Sequence, residues 1–256
     1  MALLPHLEIL PQESLISYIS RVARYHGNTS TFDFLNVIEM SRTSVLRADP
    51  EALIRLASMT GNTFERLLDS TWSSPSARLH EHRGEQFHSE FLAGKHTTYC
   101  PACLLEADNG EGIGGSQRVG LVDWMFTPVR TCPRHRIPLI RRRNRTHAEA
   151  VQDMNFVAPS TDQLMREVER FSPREVSDLQ SYVETRFVGG RGATWLDNQQ
   201  IDQAARACEM LGFVCLFDPN ADLKKLKVDD WDRAGHVGYQ FVKRGREGIH
   251  ECLTRR

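Results

Sequence analysis

Cys100-Pro101-Ala102-Cys103 is followed, after 28 intervening residues, by Cys132-Pro133-Arg134-His135. Two ligands separated by two residues can wrap one metal ion in a single tight turn, and two such knuckles supply three thiolates and one imidazole, enough for a tetrahedral zinc site. Pro101 and Pro133 each follow the first ligand of their knuckle, where a fixed φ near −65° turns the backbone toward the ion. A site with all four positions filled by protein has no place for a substrate water, so the chemistry expected is that of one structural Zn2+. Free cysteines are also common as plain core residues. The paired spacing and the repeated proline argue against that reading.

A second feature overlaps the first. From 130 to 145 the chain carries seven arginines and no Asp or Glu. The net charge is only −1, so no global field draws in a polyanion and any phosphate contact must come from a local patch. Arg134, Arg136, Arg141, Arg142, Arg143 and Arg145 are the candidates, against the alternative of a solvated charged linker.

These groups need a scaffold, and 256 residues with 40% hydrophobic content are enough for ordinary globular cores. The apolar residues of 13–25 recur at helical spacing, with Gly27 and Asn28 to end that helix. A second helix is expected over 31–40, burying Phe34, Leu35 and Ile38. Asp49, Pro50 and Glu51 read as an N-cap, a proline at the first helical position and a first-turn acid, opening a helix through 59. Gly61 ends it, and Asn62 or Thr63 caps a further helix to about 70. In that pair Ala57 permits close approach, Gly61 suits a turn with positive φ, and Leu67 packs back, which is helix-turn-helix grammar, although any tight αα corner uses similar residues. As a groove reader its second helix would offer Asn62, Thr63, Glu65 and Arg66, a set poor in cations.

Residues 73–98 read as a polar loop. Its histidines 80, 82, 88 and 96 are not needed by a four-ligand set that is already complete. The glycines at 110, 112, 114 and 115 form a loop, with no following helix or Lys-Ser/Thr that would make a phosphate cradle. Residues 119–126 form a short ribbon strand or a strand-helix joint that packs Trp124. Beyond 147 the pattern is helical again, over 161–171, 173–186, 197–211, 229–245 and 247–255, with a turn at 188–192. The expected architecture is mainly α: a helical region 1–95 with the helix-turn-helix-like pair, a zinc ribbon module 96–145 of small β content, and a helical region 146–256.

Cys208, Cys215 and Cys252 suggest no disulfide framework by their spacing. No apolar stretch approaches a membrane span, and the opening residues lack a leader pattern. A soluble, reduced, cytoplasmic protein is expected.

The chain resembles the TniQ/TnsD family of transposition target-selection proteins. The similarity lies in Pro11-Gln12-Glu13-Ser14-Leu15-Ile16-Ser17-Tyr18, in Tyr99-Cys100-Pro101-Ala102-Cys103-Leu104, in Trp124, and in Cys132-Pro133-Arg134-His135 with Leu139 behind, covering a little over half the chain. Tyr18 stands where the family usually has tryptophan, and Arg118 is distant from Trp124. The resemblance implies a non-enzymatic adaptor that binds DNA and/or a CRISPR RNA-guided effector complex and recruits an ATPase regulator and a transposase. It leaves a homodimeric state open.

Three rivals are weaker. A nucleobase deaminase would use His88-Ser89-Glu90 with a Cys-x-x-Cys pair, but needs a proline before the first cysteine and three ligands, leaving Cys132 and His135 unexplained. A transposase would need carboxylates holding two metal ions, and no run of alternating β-strands is visible to carry them. An autonomous zinc-containing helix-turn-helix regulator uses the same parts and differs in its partners.

Overall fold

In the computed structural model, which describes all residues except 1, 114, 116, 147, 148, 193, 194, 219, 255 and 256, the chain is mainly α with a small β content. Gly114 and Arg255, parts of two expected elements, lie outside the described residues.

Five helices open the fold: α1 (Leu15–Gly27), α2 (Thr31–Val37), α3 (Arg42–Leu46), α4 (Pro50–Thr60) and α5 (Phe64–Asp69). Ser14 caps α1 by accepting from the Ser17 amide, and Asn28 ends it in the left-handed region at φ 47°. Leu15 to Ala23 are buried without interruption, and only the last turn, from Arg24, reaches solvent. Asp49 accepts from the Glu51 amide and Pro50 takes the first helical position of α4. Gly61 at φ 72° closes α4, and Thr63 caps α5 through the Arg66 amide. Helix α2 stops at Val37 because the chain turns through Glu39 at φ 54°. The five-residue α3 carries too short a pattern to read from sequence.

The segment expected as a polar loop is more ordered than that. It holds an antiparallel hairpin, β1 (Leu79–His82) with β2 (Glu85–His88), a 3₁₀ turn at Ser89–Phe91, and strand β3 (His96–Tyr99). Its period-two signal was hidden because histidines, not aliphatics, occupy buried positions of β1. His80 and His82 point inward, opposite Phe87 and Glu85 respectively.

Strand β3 runs into helix α6 (Pro101–Asp108) and pairs antiparallel with β4 (Ile140–Arg143). Between them, residues 119–126 contribute no regular strand. Leu121 makes an isolated bridge to Glu13, a 3₁₀ turn covers Asp123–Met125, and Trp124 is buried as expected.

The remainder is α7 (Thr161–Glu169), α8 (Asp178–Phe187), a 3₁₀ turn at Trp195–Asn198, α9 (Ile201–Leu216), α10 (Val228–Val242) and α11 (Gly245–Thr254). Helix α8 begins five residues later than its sequence pattern. Arg174 is drawn off into bonds with the Arg136 and Arg130 carbonyls, and Ser177 then caps the helix. Helices α9 and α10 meet backbone to backbone: a Cβ on Gly212 would lie 1.8 Å from the Ala234 oxygen. Cys215 and Cys252 form a disulfide with Cα atoms 6.4 Å apart, contrary to the reading from their spacing. The packing of α11 on α9 brings together two residues 37 positions apart in the chain.

Two apolar clusters result. One is built on α1 to α5. The other joins the hairpin, α6, the knuckles and α8 to α10 around Phe87, Trp124, Phe126 and Phe187. Asp153 ties the first cluster to the chain beyond β4, accepting from Ser20 Oγ (2.6 Å) and Thr31 Oγ1 (2.7 Å).

Candidate metal centre and basic rim

The first knuckle is a helix start. Cys100 is the N-cap residue of α6, Pro101 occupies the first helical position and Cys103 lies in the first turn, so both sulfurs face one side of the α6 N-terminus. The second knuckle is a reverse turn. Cys132 donates its amide to the Ile137 carbonyl (2.9 Å), Arg136 returns its own to the Cys132 carbonyl (2.8 Å), and Arg136 takes φ 55° to close the loop. Each knuckle is thus fixed by its own backbone, as the Cys-Pro spacing implies.

What brings the two together is contributed from far along the chain. Gln180 on α8 accepts both the Arg130 and Thr131 amides at 2.9 Å and donates to the Thr131 carbonyl at 2.7 Å, acting as a surrogate strand edge. Arg174 donates to Thr131 Oγ1 (2.8 Å) and to the Arg130 carbonyl (2.7 Å), and Arg130 itself pairs with Glu209 on α9 in a buried ion pair. Removing either partner of such a pair leaves an uncompensated buried charge, so the segment leading into the knuckle is firmly held.

Cys100, Cys103, Cys132 and His135 converge, with all four donor atoms within 4.8 Å of one another. Metal–sulfur and metal–nitrogen bonds of roughly 2.3 and 2.0–2.1 Å give a tetrahedron with sulfur–sulfur edges of about 3.8 Å and sulfur–nitrogen edges of about 3.6 Å. The observed edges are 3.7 Å for Cys103 to Cys132, and 3.5, 3.2 and 3.6 Å from His135 Nδ1 to Cys100, Cys103 and Cys132. The donor set can hold a metal ion and has the size and ligand types zinc requires. Hydrogen bonding among the three sulfurs pushes the Cys103 thiol up and holds Cys132 down. A divalent cation bound there would displace the thiol protons, since thiolates are the ligands.

A residue that sequence reasoning missed completes the site. Glu106 Oε1 lies 3.0 Å from His135 Nε2, and its other oxygen lies 3.0 Å from Arg134. The signal was present: Glu106 falls one helical turn after Cys103, on the same face of α6.

The six rim arginines do not form one face. Antiparallel pairing sets Arg143 against His96, Arg142 against Thr97 and Arg141 against Thr98, and alternate residues on a strand point to opposite sides. Arg141 turns its guanidinium onto the carbonyls of Phe126, Thr127 and Val129 at 3.3, 2.7 and 3.4 Å. Burial, with Arg130 nearby, lowers it to about 10, so it stays charged at neutral pH. Arg142 reaches the Val157 carbonyl (3.4 Å), Arg134 pairs with Glu106, and Arg136 pairs with Glu175. Arg143 and Arg145 are exposed.

The helix-turn-helix-like corner is also occupied. Asn62 accepts from the Ile9 amide (3.1 Å) and donates to Tyr18 Oη (2.7 Å), and Arg66 donates to the Ile9 carbonyl (2.9 Å). Thr63 is engaged as the cap of α5. Residues 6–9 thus lie along the corner, with His6 packed where a Cβ on Gly61 would stand.

The histidines outside the set have other partners. His80 bonds Ser74 and Ser89, His82 bonds the Thr71 carbonyl, His88 bonds Asp202, and His96 bonds the Ala93 carbonyl. Among the described residues, Cys100, Cys103, Cys132 and His135 are the one group of three or more Cys, His, Asp or Glu that could hold a metal ion. Neither a deaminase centre on His88 and Glu90 nor a carboxylate triad assembles there.

Comparison with curated proteins returned no match. The TniQ family model matches residues 4–139, more than half of the chain, from the segment that packs on the α4–α5 corner through both knuckles. With the Glu13-Ser14 opening seated at the head of α1 and the four metal donors converged within that same span, the chain belongs to the TniQ family of transposition-associated proteins.

Proposed function

We propose that this protein is a non-enzymatic target-selection adaptor in DNA transposition. One structural Zn2+ on Cys100, Cys103, Cys132 and His135 holds a recognition surface in shape. The observation that supports the reading is the convergence of four donors within a TniQ span: on one bound ion they would fill a tetrahedron and leave no vertex for a reacting water. Zinc when bound would supply folding energy and fix the two knuckles relative to each other. The surrounding residues fit that role, since Glu106 orients the imidazole and Gln180 and Arg174 brace the second knuckle.

The adaptor acts through partners: DNA and/or an RNA-guided effector complex on the targeting side, and an ATPase regulator with its transposase on the other. Phosphate contact falls to Arg134, Arg136 and Arg142, whose side chains border the ribbon. A free-standing regulator reading helix α5 into a DNA groove is disfavoured, because Asn62 and Arg66 already bond residues 7–9 and α5 is only six residues long.

The test is a reconstituted insertion assay that combines this protein with a transposition ATPase regulator and its transposase. Insertions confined to one target with the protein present, and scattered or absent without it, are expected. An insertion pattern independent of the protein overturns the reading, as does hydrolytic or strand-transfer activity by this chain alone.

A further inference from the structure

A large cavity lies away from the candidate metal centre. It is an open groove of about 780 Å³ between the N-terminal helices on one side and the hairpin, β3 and the chain beyond β4 on the other. Its two walls come from different parts of the sequence, which is why no motif announced it.

The lining is chemically biased. Arg42 and Arg47 stand on the α3 wall, and Lys95, Arg143 and Arg145 on the opposite wall. The single carboxylate in the lining is Glu149, which accepts from the Arg145 amide (2.7 Å). Five cations against one acid in a chain of net charge −1 is a strongly local field. The aliphatic side chains that reach the groove surface are Leu46 and Leu92, with Leu15, Ile16 and Val45 buried behind them. Leu46 remains 38% exposed although it belongs to a helix with a buried side.

A cationic rim over an aliphatic floor suits a polypeptide better than a nucleic-acid strand. Sequence-tolerant binding of single strands relies on aromatic faces for bases to stack on. Here the Arg42 guanidinium already lies 3.4 Å over the Phe32 ring, and Trp72 is packed against His80 and Phe126. We infer that this groove is the docking site for a partner-protein segment whose apolar side chains are flanked by Asp or Glu. The inference rests on the adaptor reading and deepens it by naming the chemistry of one partner contact.

The experiment selects short random peptides on the immobilised, zinc-loaded full-length protein. Counter-selection uses the Leu46→Asp/Arg47→Glu/Arg143→Glu variant, checked for native circular dichroism and zinc content; if the triple variant does not fold, Arg143→Glu alone takes its place. The expected result is enrichment of acidic peptides carrying apolar residues, bound at least about tenfold more weakly by the variant. No enrichment, enriched peptides that bind both proteins alike, or peptides lacking acidic residues would overturn the inference. So would a single-stranded oligothymidylate that binds in place of the peptides and is lost with the same substitutions. In the insertion assay, directed insertion that persists in a variant unable to bind peptide overturns the groove and leaves the adaptor role standing. Insertion that ignores the protein altogether overturns the adaptor role instead.

Discussion

Glu106 Oε1 sits 3.0 Å from His135 Nε2, on the opposite edge of the imidazole from the three sulfurs. A carboxylate there accepts the Nε2 proton, which fixes the tautomer that leaves Nδ1 free to coordinate and raises the basicity of that nitrogen. Glu106→Ala is expected to weaken zinc affinity by roughly 10–100-fold, with Glu106→Gln closer to wild type because it keeps an acceptor. Competition against a calibrated chelator measures this. An alanine variant that holds zinc as tightly as wild type would remove Glu106 from the site.

Cys103→Ser tests the ligand set itself. Structural zinc sites contribute on the order of 10–16 kcal/mol of apparent binding free energy at neutral pH, so the variant is expected to lose stoichiometric metal and to unfold around the ribbon. Metal content and a denaturant melt are read together. Full metal content with the parental midpoint would refute the assignment.

Arg141 and Arg143 stand two residues apart on β4 and are expected to fail differently. Arg141→Ala strips the donor from three carbonyls at the base of the ribbon, so it is expected to cost about 1–3 kcal/mol of stability and to leave the salt dependence of nucleic-acid binding unchanged. Arg143→Ala is expected to leave stability unchanged and to weaken binding of the acidic peptides selected on the groove, by less at high salt than at low salt. The opposite pattern would reverse the two roles.

His82 sets an acid limit. Its Nδ1 lies 2.6 Å from the Thr71 carbonyl, its Nε2 is buried without a partner, and its ring packs between Phe126 and Phe187. Burial, opposed by the Thr71 bond, lowers its pKa to about 4. Below pH 6.5 the unfolded chain takes up a proton that the native ring refuses until about pH 4, so stability is retained above pH 6.5 and falls as pH drops through that window. Between pH 7 and pH 5 the loss is expected to be about 2 kcal/mol. With zinc kept saturating, His82→Leu is expected to be less stable at pH 7 and to lose that part of the pH slope. An unaltered slope would show that His82 is not the titrating group.

Gly212 is required where α9 crosses α10. Alanine in an ordinary helix interior gains about 1 kcal/mol over glycine, yet a Cβ here would lie 1.8 Å from the Ala234 oxygen and 2.8 Å from the Gly238 nitrogen. The helices must separate, and overpacking of that kind costs about 1–3 kcal/mol. Gly212→Ala is therefore expected to lower the denaturant midpoint. A raised midpoint would mean that the crossing is looser than this.

By itself the sequence determined whatever is settled within a few residues. A Cys-x-x-Cys or Cys-x-x-His turn closes on its own backbone, so the four donors were legible from spacing. The Asp49-Pro50 start and the Gly61 stop of α4 were legible for the same reason, since caps satisfy neighbouring amides. Only the tertiary structure decided what depends on distant contacts. Distant carbonyls split an arginine run that reads as one patch: Phe126, Thr127 and Val129 hold Arg141, whereas Arg143, two residues further on the same side of β4, stays exposed. Residues 7–9 engaged Asn62 and Arg66, and α11 packing on α9 joined Cys215 to Cys252. Gln180 reached the second knuckle from 48 residues beyond Cys132, and two remote walls enclosed the basic groove. Local backbone geometry depends on neighbouring residue types, whereas which face of a strand is buried, and what bonds an exposed-looking side chain, is set by whichever partner the folded chain brings there.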